Sequence, residues 1–247
     1  MDQDNYIFNI KTVQTGAIRI LIESLKEILT DANFTIDENG IKLIAMDSTH
    51  TVLIHMKLLQ EKFEHFYCLK KINIGINMAN FFKLIKTMSN NDTLTLFIEK
   101  NNENQLGIKI HNDEKNSQTT YKLNLLDIQD ETISIPPAEF DTELTFPSND
   151  FQKIIRDMIN IAENIEIKSI GNKLVLSCEG DFASQETVLG ETNNGIQFAK
   201  ESSPEYPIQG IYSLKYPFII NKSTKIRQII NIYIKNDYPI IIKYNIA

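Results

Sequence analysis

The 247-residue sequence predicts an α+β chain of two similar domains, each with two short helices gathered on one face of antiparallel sheets. Three observations predict it. A pattern of short amphipathic helix, strand, turn and strand recurs four times. Each helix spans about three turns and would be marginal alone in water, so its apolar face has to lie on a sheet. An acid-rich stretch ending in paired prolines separates the second copy from the third.

The first helix opens at Thr15, read as its N-cap, with Ile18, Leu21, Ile22 and Leu25 at helical spacing. A hairpin follows: Phe34-Thr35-Ile36, a turn at Asp37-Glu38-Asn39-Gly40, then Ile41-Lys42-Leu43-Ile44. The second helix begins near Asn77 and buries Phe81, Leu84, Ile85 and Met88, with strands over residues 93–98 and 106–110 behind it. The third, capped by Ser148 after Pro147, buries Phe151, Ile154, Ile155 and Met158. Its strands, 165–167 and 174–176, flank Gly171-Asn172. The fourth starts near Ser213 with Leu214 and Phe218 inward, followed by strands over 229–234 and 240–246 around Asn236-Asp237.

Two copies make one domain. The sequence divides into an N-terminal domain (1–124), an extended connector (125–140) and a C-terminal domain (141–247). The connector interleaves Leu125, Leu126, Ile128, Ile133 and Ile135 with acids before Pro136-Pro137, which fix an extended backbone.

Hydrophobic residues at 42% and charged residues at 23% exclude disordered and fibrous classes. No apolar run reaches the roughly 18 to 20 residues of a membrane span, and Met1-Asp2-Gln3-Asp4-Asn5 lacks the basic start of a signal peptide. Cys68 and Cys178 are isolated, without CxxC or a zinc spacing, which suits an intracellular, reducing compartment.

The formal charge of −7 alone argues against a phosphate-binding surface, but its distribution does not. Each helix carries a cationic pair: Arg19 and Lys26, Lys83 and Lys86, Lys153 and Arg156, Lys215 and Lys222. Only Glu23, Glu27, Asp150 and Asp157 oppose these eight cations on the same helices, which leaves the remainder of the chain at −11. A positive helical face in an acidic protein suits contact with phosphates that reads no sequence, while the acidic remainder repels them. Charge alone fits a merely solubilised face equally well.

Signs of catalysis are missing. No GxxxxGK, GxGxxG, HExxH or GxSxG string occurs, and no cofactor or metal site is expected. His50 and His55 fall in a segment that reads as strand, where five-residue spacing sends them to opposite faces. Met46-Asp47-Ser48-Thr49-His50 holds acid, hydroxyl and imidazole, but a nucleophilic triad is assembled in space, not by adjacency.

Over residues 8–247 the sequence resembles the eukaryotic and archaeal sliding clamps of the proliferating cell nuclear antigen family. The segments that carry the resemblance are Val13-Gln14, Ile41 through Met46-Asp47-Ser48-Thr49-His50, and Tyr121-Lys122-Leu123. With them go Pro147-Ser148-Asn149-Asp150-Phe151, Arg156-Asp157, Gly180-Asp181, and Tyr238-Pro239-Ile240 leading to Lys243-Tyr244-Asn245-Ile246-Ala247. Their order and spacing, with the fourfold repeat, give the match its strength.

The resemblance implies a DNA-clamp fold that assembles as a homotrimeric ring of six domains, helices lining the hole and sheets forming the wall. It implies a non-enzymatic processivity factor that encircles duplex DNA in the nucleus or at a site of viral replication. A DNA polymerase, a clamp loader and other proteins with a short clamp-binding motif are the implied partners; a membrane is not. The eight helix cations then face DNA. The partner-peptide pocket, beside the connector, comprises Met46, His50, Ile133, Ile135, Pro136 and Pro239. Subunits join by strand pairing between residues 116–124 and 181–190, with Tyr121, Leu123, Met158, Ile161 and Phe182 as apolar contacts.

Three features depart from the family pattern. Ile20 stands where relatives often carry a second basic residue, which weakens the expected DNA contact at that helix. Gly171 stands where relatives carry a ubiquitin-accepting lysine. The sequence given ends at Ala247, before a tail by which relatives help wall the pocket, so lower partner affinity is expected. A subunit of a checkpoint-type heterotrimeric clamp and a monomeric viral processivity factor are the alternative readings.

Overall fold

The computed structural model describes residues 5–129, 133–220 and 228–244. The chain separates into two compact units, Met1–Ser134 and Ile135–Ala247. In the first, the elements run β1 (Tyr6–Thr12), α1 (Thr15–Lys26), β2 (Asp31–Asp37), β3 (Gly40–Met46), β4 (Leu53–Leu59), β5 (His65–Cys68), β6 (Ile72–Asn77), α2 (Met78–Ile85), β7 (Asp92–Glu99), β8 (Asn102–Asn112) and β9 (Ser117–Asn124). The second runs β10 (Thr142–Pro147), α3 (Ser148–Met158), β11 (Asn164–Ile170), β12 (Lys173–Glu179), β13 (Ser184–Gly190), β14 (Gln197–Lys200), β15 (Ile208–Ser213), α4 (Lys215–Ile220), β16 (Ile229–Ile234) and β17 (Ile241–Tyr244).

Every pairing is antiparallel, in sheets ordered β5-β1-β7-β8-β9 and β4-β3-β2-β6 in the first unit. The second unit has β14-β10-β16-β17 and β13-β12-β11-β15, also antiparallel throughout. The strand before each helix does not join the hairpin after that helix. β1 precedes α1 but pairs with β7, which follows α2; β6 precedes α2 but pairs with β2, which follows α1. The second unit repeats the exchange with β10 on β16 and β15 on β11. Each copy of the repeat therefore completes its partner's sheet, so a single copy would leave two sheet edges and a helix face uncovered.

The helices form where the 3.6-residue period predicts, and α1, α2 and α3 bury the expected faces. In α3, Phe151, Ile155 and Met158 are fully buried on a core that includes Leu144, Ile165, Leu176 and Ile232. Burying each such side chain is worth about 1.5–3 kcal/mol. In α2, Asn77 caps the helix by accepting from the Asn80 N–H at 3.0 Å.

Four details correct the sequence reading. Gln14 and Pro147, not Thr15 and Ser148, occupy the N-cap positions of α1 and α3, and neither makes a side-chain cap. Thr15 is buried instead, its hydroxyl donating to the Ser89 carbonyl at 2.7 Å. In α4 the inward place goes to Ile219, which turns the adjacent Phe218 outward to 38% exposure. The segment 47–50 is a turn rather than a strand, with His50 at φ 55°. The end of the strand expected over 240–246 lies outside the described residues.

Candidate functional surfaces

The four helices differ in how freely they present their cations. Lys83 and Lys86 on and just after α2 and Lys153 and Arg156 on α3 are exposed, turned away from the buried residues of their helices, and Lys215 is exposed at the first position of α4. Lys153 has only a loose neighbour, Asp150 at 3.9 Å. On α1 the pair is engaged within the unit. Arg19 Nη1 donates to the Met88 carbonyl at 2.9 Å, tying α1 to the segment after α2. Lys26 pairs with Glu27 and lies over the Phe82 ring, 4.9 Å from its centroid. Lys222 lies outside the described residues.

Of the pocket candidates, Met46, His50 and Ile133 belong to the first unit. Met46 ends β3 opposite Leu53, and both are more than one-third exposed. His50 is exposed at the turn, and Ile133 is half-buried. Asp47, itself buried, organises that turn: Oδ1 accepts from the Thr51 and Val52 N–H groups, each at 2.8 Å. Oδ2 accepts from the Thr49 N–H and hydroxyl. The acid-hydroxyl-imidazole string is thus a loop brace. In the second unit Ile135, Pro136 and Pro239 are all exposed, on segments without regular secondary structure.

Sequence reasoning missed Ile44, Asn33 and Gly75. Ile44 shares the outward face of β3 with Met46 and is 38% exposed. Gly75 sits on edge strand β6, where its carbonyl accepts from the Leu126 N–H at the start of the connector, 2.8 Å away. Asn33, opposite Gly75, donates to the Ile128 carbonyl at 3.1 Å. A glycine inside the apolar strand Ile72–Asn77 is the signal that could have pointed there, since an isolated strand glycine marks close backbone approach.

Two edge strands hold the subunit-contact candidates. β9 closes one end of its sheet and carries Tyr121 and Leu123, both half-buried. Beside it, a polar recess of about 190 Å³ is lined by Thr87, Ser89, Asp92, Lys115, Ser117 and Tyr121. β13 closes a sheet of the second unit, with Val188 54% exposed and Phe182, just before the strand, 78% exposed. Ile161 is half-buried close by: a Cβ at Gly180 would stand 1.8 Å from its carbonyl oxygen, so the two segments meet backbone to backbone. Met158 is a correction. It is fully buried in its own unit's core and has no surface to offer another chain.

His55 and the two thiols have shifts that burial explains. Partial burial, then the Lys57 cation, hold His55 below the ordinary imidazole value, which favours its neutral form. Burial pushes the Cys68 and Cys178 thiols up, which keeps them protonated and poorly nucleophilic. Among the described residues no helix is long and apolar enough to cross a membrane.

Comparison with known proteins is consistent along the whole chain. Residues 7–132 match the family model described as proliferating cell nuclear antigen, N-terminal domain, and residues 134–247 match the C-terminal domain model of the same family. A probable DNA polymerase sliding clamp 1 of Paramecium bursaria Chlorella virus 1 is 35% identical over 251 residues, covering 100% of this chain and 95% of that protein. Proliferating cell nuclear antigen of Chaetomium thermophilum is 28% identical over 237 residues, covering 95% of this chain and 91% of the relative. The Caenorhabditis elegans protein of the same name is 26% identical over 242 residues, with 97% and 92% covered.

Proposed function

The chain belongs to the proliferating cell nuclear antigen family and serves as a DNA sliding clamp and processivity factor, and from that premise we propose that it works as a homotrimeric ring. The ring encloses duplex DNA and performs no chemical step itself. What supports this reading most is the repetition of exposed cations, on the sides of α2 and α3 away from the core and at the start of α4. Loose phosphate contacts of this kind cost little to break and remake, so they permit sliding, while enclosure prevents escape. A deep, tightly paired site would hold DNA in one place.

In this reading the edges of β9 and β13 pair between copies, with Tyr121, Leu123, Ile161 and Phe182 in the contact. Met46, His50, Ile133, Ile135, Pro136 and Pro239, with Ile44 added, receive the short helical turn of a polymerase, a clamp loader or another client. Residues 125–140 serve as the connector between the domains. The protein acts where DNA is replicated, in a nucleus or at a viral replication site, and two free thiols fit a reducing compartment there.

Light scattering over a concentration series tests the assembly. The expected mass is three times 28.4 kDa, with Tyr121→Ala shifting the distribution toward smaller species. A monomer at every concentration would favour a factor held by electrostatics alone. A trimer that forms only after other chains are added would favour a heterotrimeric clamp.

A further inference from the structure

We propose that Gly75 and Asn33 are positioning residues that form a seat for the start of the connector, and thereby preset the wall against which a client's helical turn docks. The proposal rests on the partner pocket described above. The two residues face each other across β6 and β2. Because Phe34, Ile74 and Ile76 point into the core, strand alternation places Asn33 and Gly75 on the outward face of the four-stranded sheet.

β6 is the edge of that sheet, so backbone groups on its open side need partners. The connector supplies one through a single antiparallel bridge, Leu126 to Gly75. Two residues later the Asn33 amide grips the Ile128 carbonyl. The chain is therefore held at two points, one backbone and one side chain.

Gly75 acts by what it lacks. A Cβ there would come within 2.3 Å of the Leu126 oxygen and 3.0 Å of the Ile128 side chain. The oxygen belongs to the residue whose N–H makes the bridge, so it has little freedom to swing aside. Glycine weakens a strand interior on its own account, and this close approach is the compensating reason for it.

The same sheet face carries Ile44, Met46 and Leu53, all more than one-third exposed. Ile133 follows Ile128 by five residues, so the seat, which holds Ile128 to the same sheet, limits how far Ile133 can stray from Ile128, to roughly 17 Å at full extension. A wall fixed before the client arrives lowers the ordering cost of binding.

The test uses the full-length clamp and a fluorescein-labelled synthetic peptide bearing one aliphatic and two aromatic anchors on a single helical turn. Asn33→Ala removes the hydrogen bond to the Ile128 carbonyl and should weaken peptide binding about threefold to tenfold. It should also speed deuterium exchange at the Leu126 N–H, with oligomer mass and thermal midpoint unchanged. Gly75→Ala should weaken binding by roughly tenfold or more, since the displaced wall must be re-ordered. Met46→Ala is the control for the pocket itself. If Met46→Ala weakens binding while Asn33→Ala and Gly75→Ala bind as wild type, the seat is overturned and the pocket stands. Unaltered Leu126 exchange in both seat variants overturns it equally. If Met46→Ala binds as wild type, the pocket reading fails and the role of the seat with it.

Discussion

Phe97 and Gly107 form one packing unit across β7 and β8, where a Cβ on the glycine would lie 2.3 Å from the ring. Lys109 and Lys122 lie over the same ring, and Tyr6 meets it edge-on. Gly107→Ala should therefore cost about 1–3 kcal/mol through overpacking, and Phe97→Leu in the same chain should recover part of it. Thermal melts of wild type and the two variants would check this; an unaltered melt for Gly107→Ala contradicts it. Asp92 gives a pH prediction. Burial opposes its charge, but hydrogen bonds from Asn112 and the Ser89 N–H outweigh burial and hold the carboxyl below its ordinary value. A folded value below the unfolded one, about 3.9, means the stabilisation is complete above that range and fades as pH falls through the folded value. Asp92→Asn should melt lower than wild type at pH 7, with the gap closing in acid; parallel curves would contradict the assignment. Sequence could show that Arg19 and Lys26 share a helix with apolar residues. It could not show that the Met88 carbonyl and the Phe82 ring, some sixty residues away, would take them up.

At the scale of elements, helices were the most legible because each carries a 3.6-residue apolar period. The strands that sequence did not reveal were β1, β5, β6, β10, β14 and β15, of which β5, β6, β14 and β15 lie at sheet edges. On β14 three of the four residues are exposed and none is buried, so no apolar alternation marks it. The helices also separate two kinds of cation. Lys153→Glu with Arg156→Glu, both on the exposed side of α3, should lower the salt slope of DNA association by about 2 and leave the melt unchanged. Arg19→Ala should do the reverse, with a small change in DNA association and a lower melt, because its guanidinium holds the segment after α2. Equal effects from both changes would mean that the distinction drawn between α1 and α3 is wrong.

The whole molecule is a case of charge and topology dividing the work. A chain of net charge −7 concentrates cations on helices, and exchanged strands make each pair of repeats a single folding unit. The fourfold repeat was visible in sequence because helix and hairpin recur in register; the exchange was not, since strand partners are set by long-range pairing. The central claim is that DNA is retained by enclosure rather than by adhesion. The direct measurement loads the labelled protein onto nicked circular DNA with a clamp loader and ATP, raises the salt, and then linearises the circle with a restriction enzyme. Enclosure predicts that protein stays on the circle through the salt step and leaves by the ends soon after cutting. Equal loss from circular and linear DNA as salt rises would contradict the account.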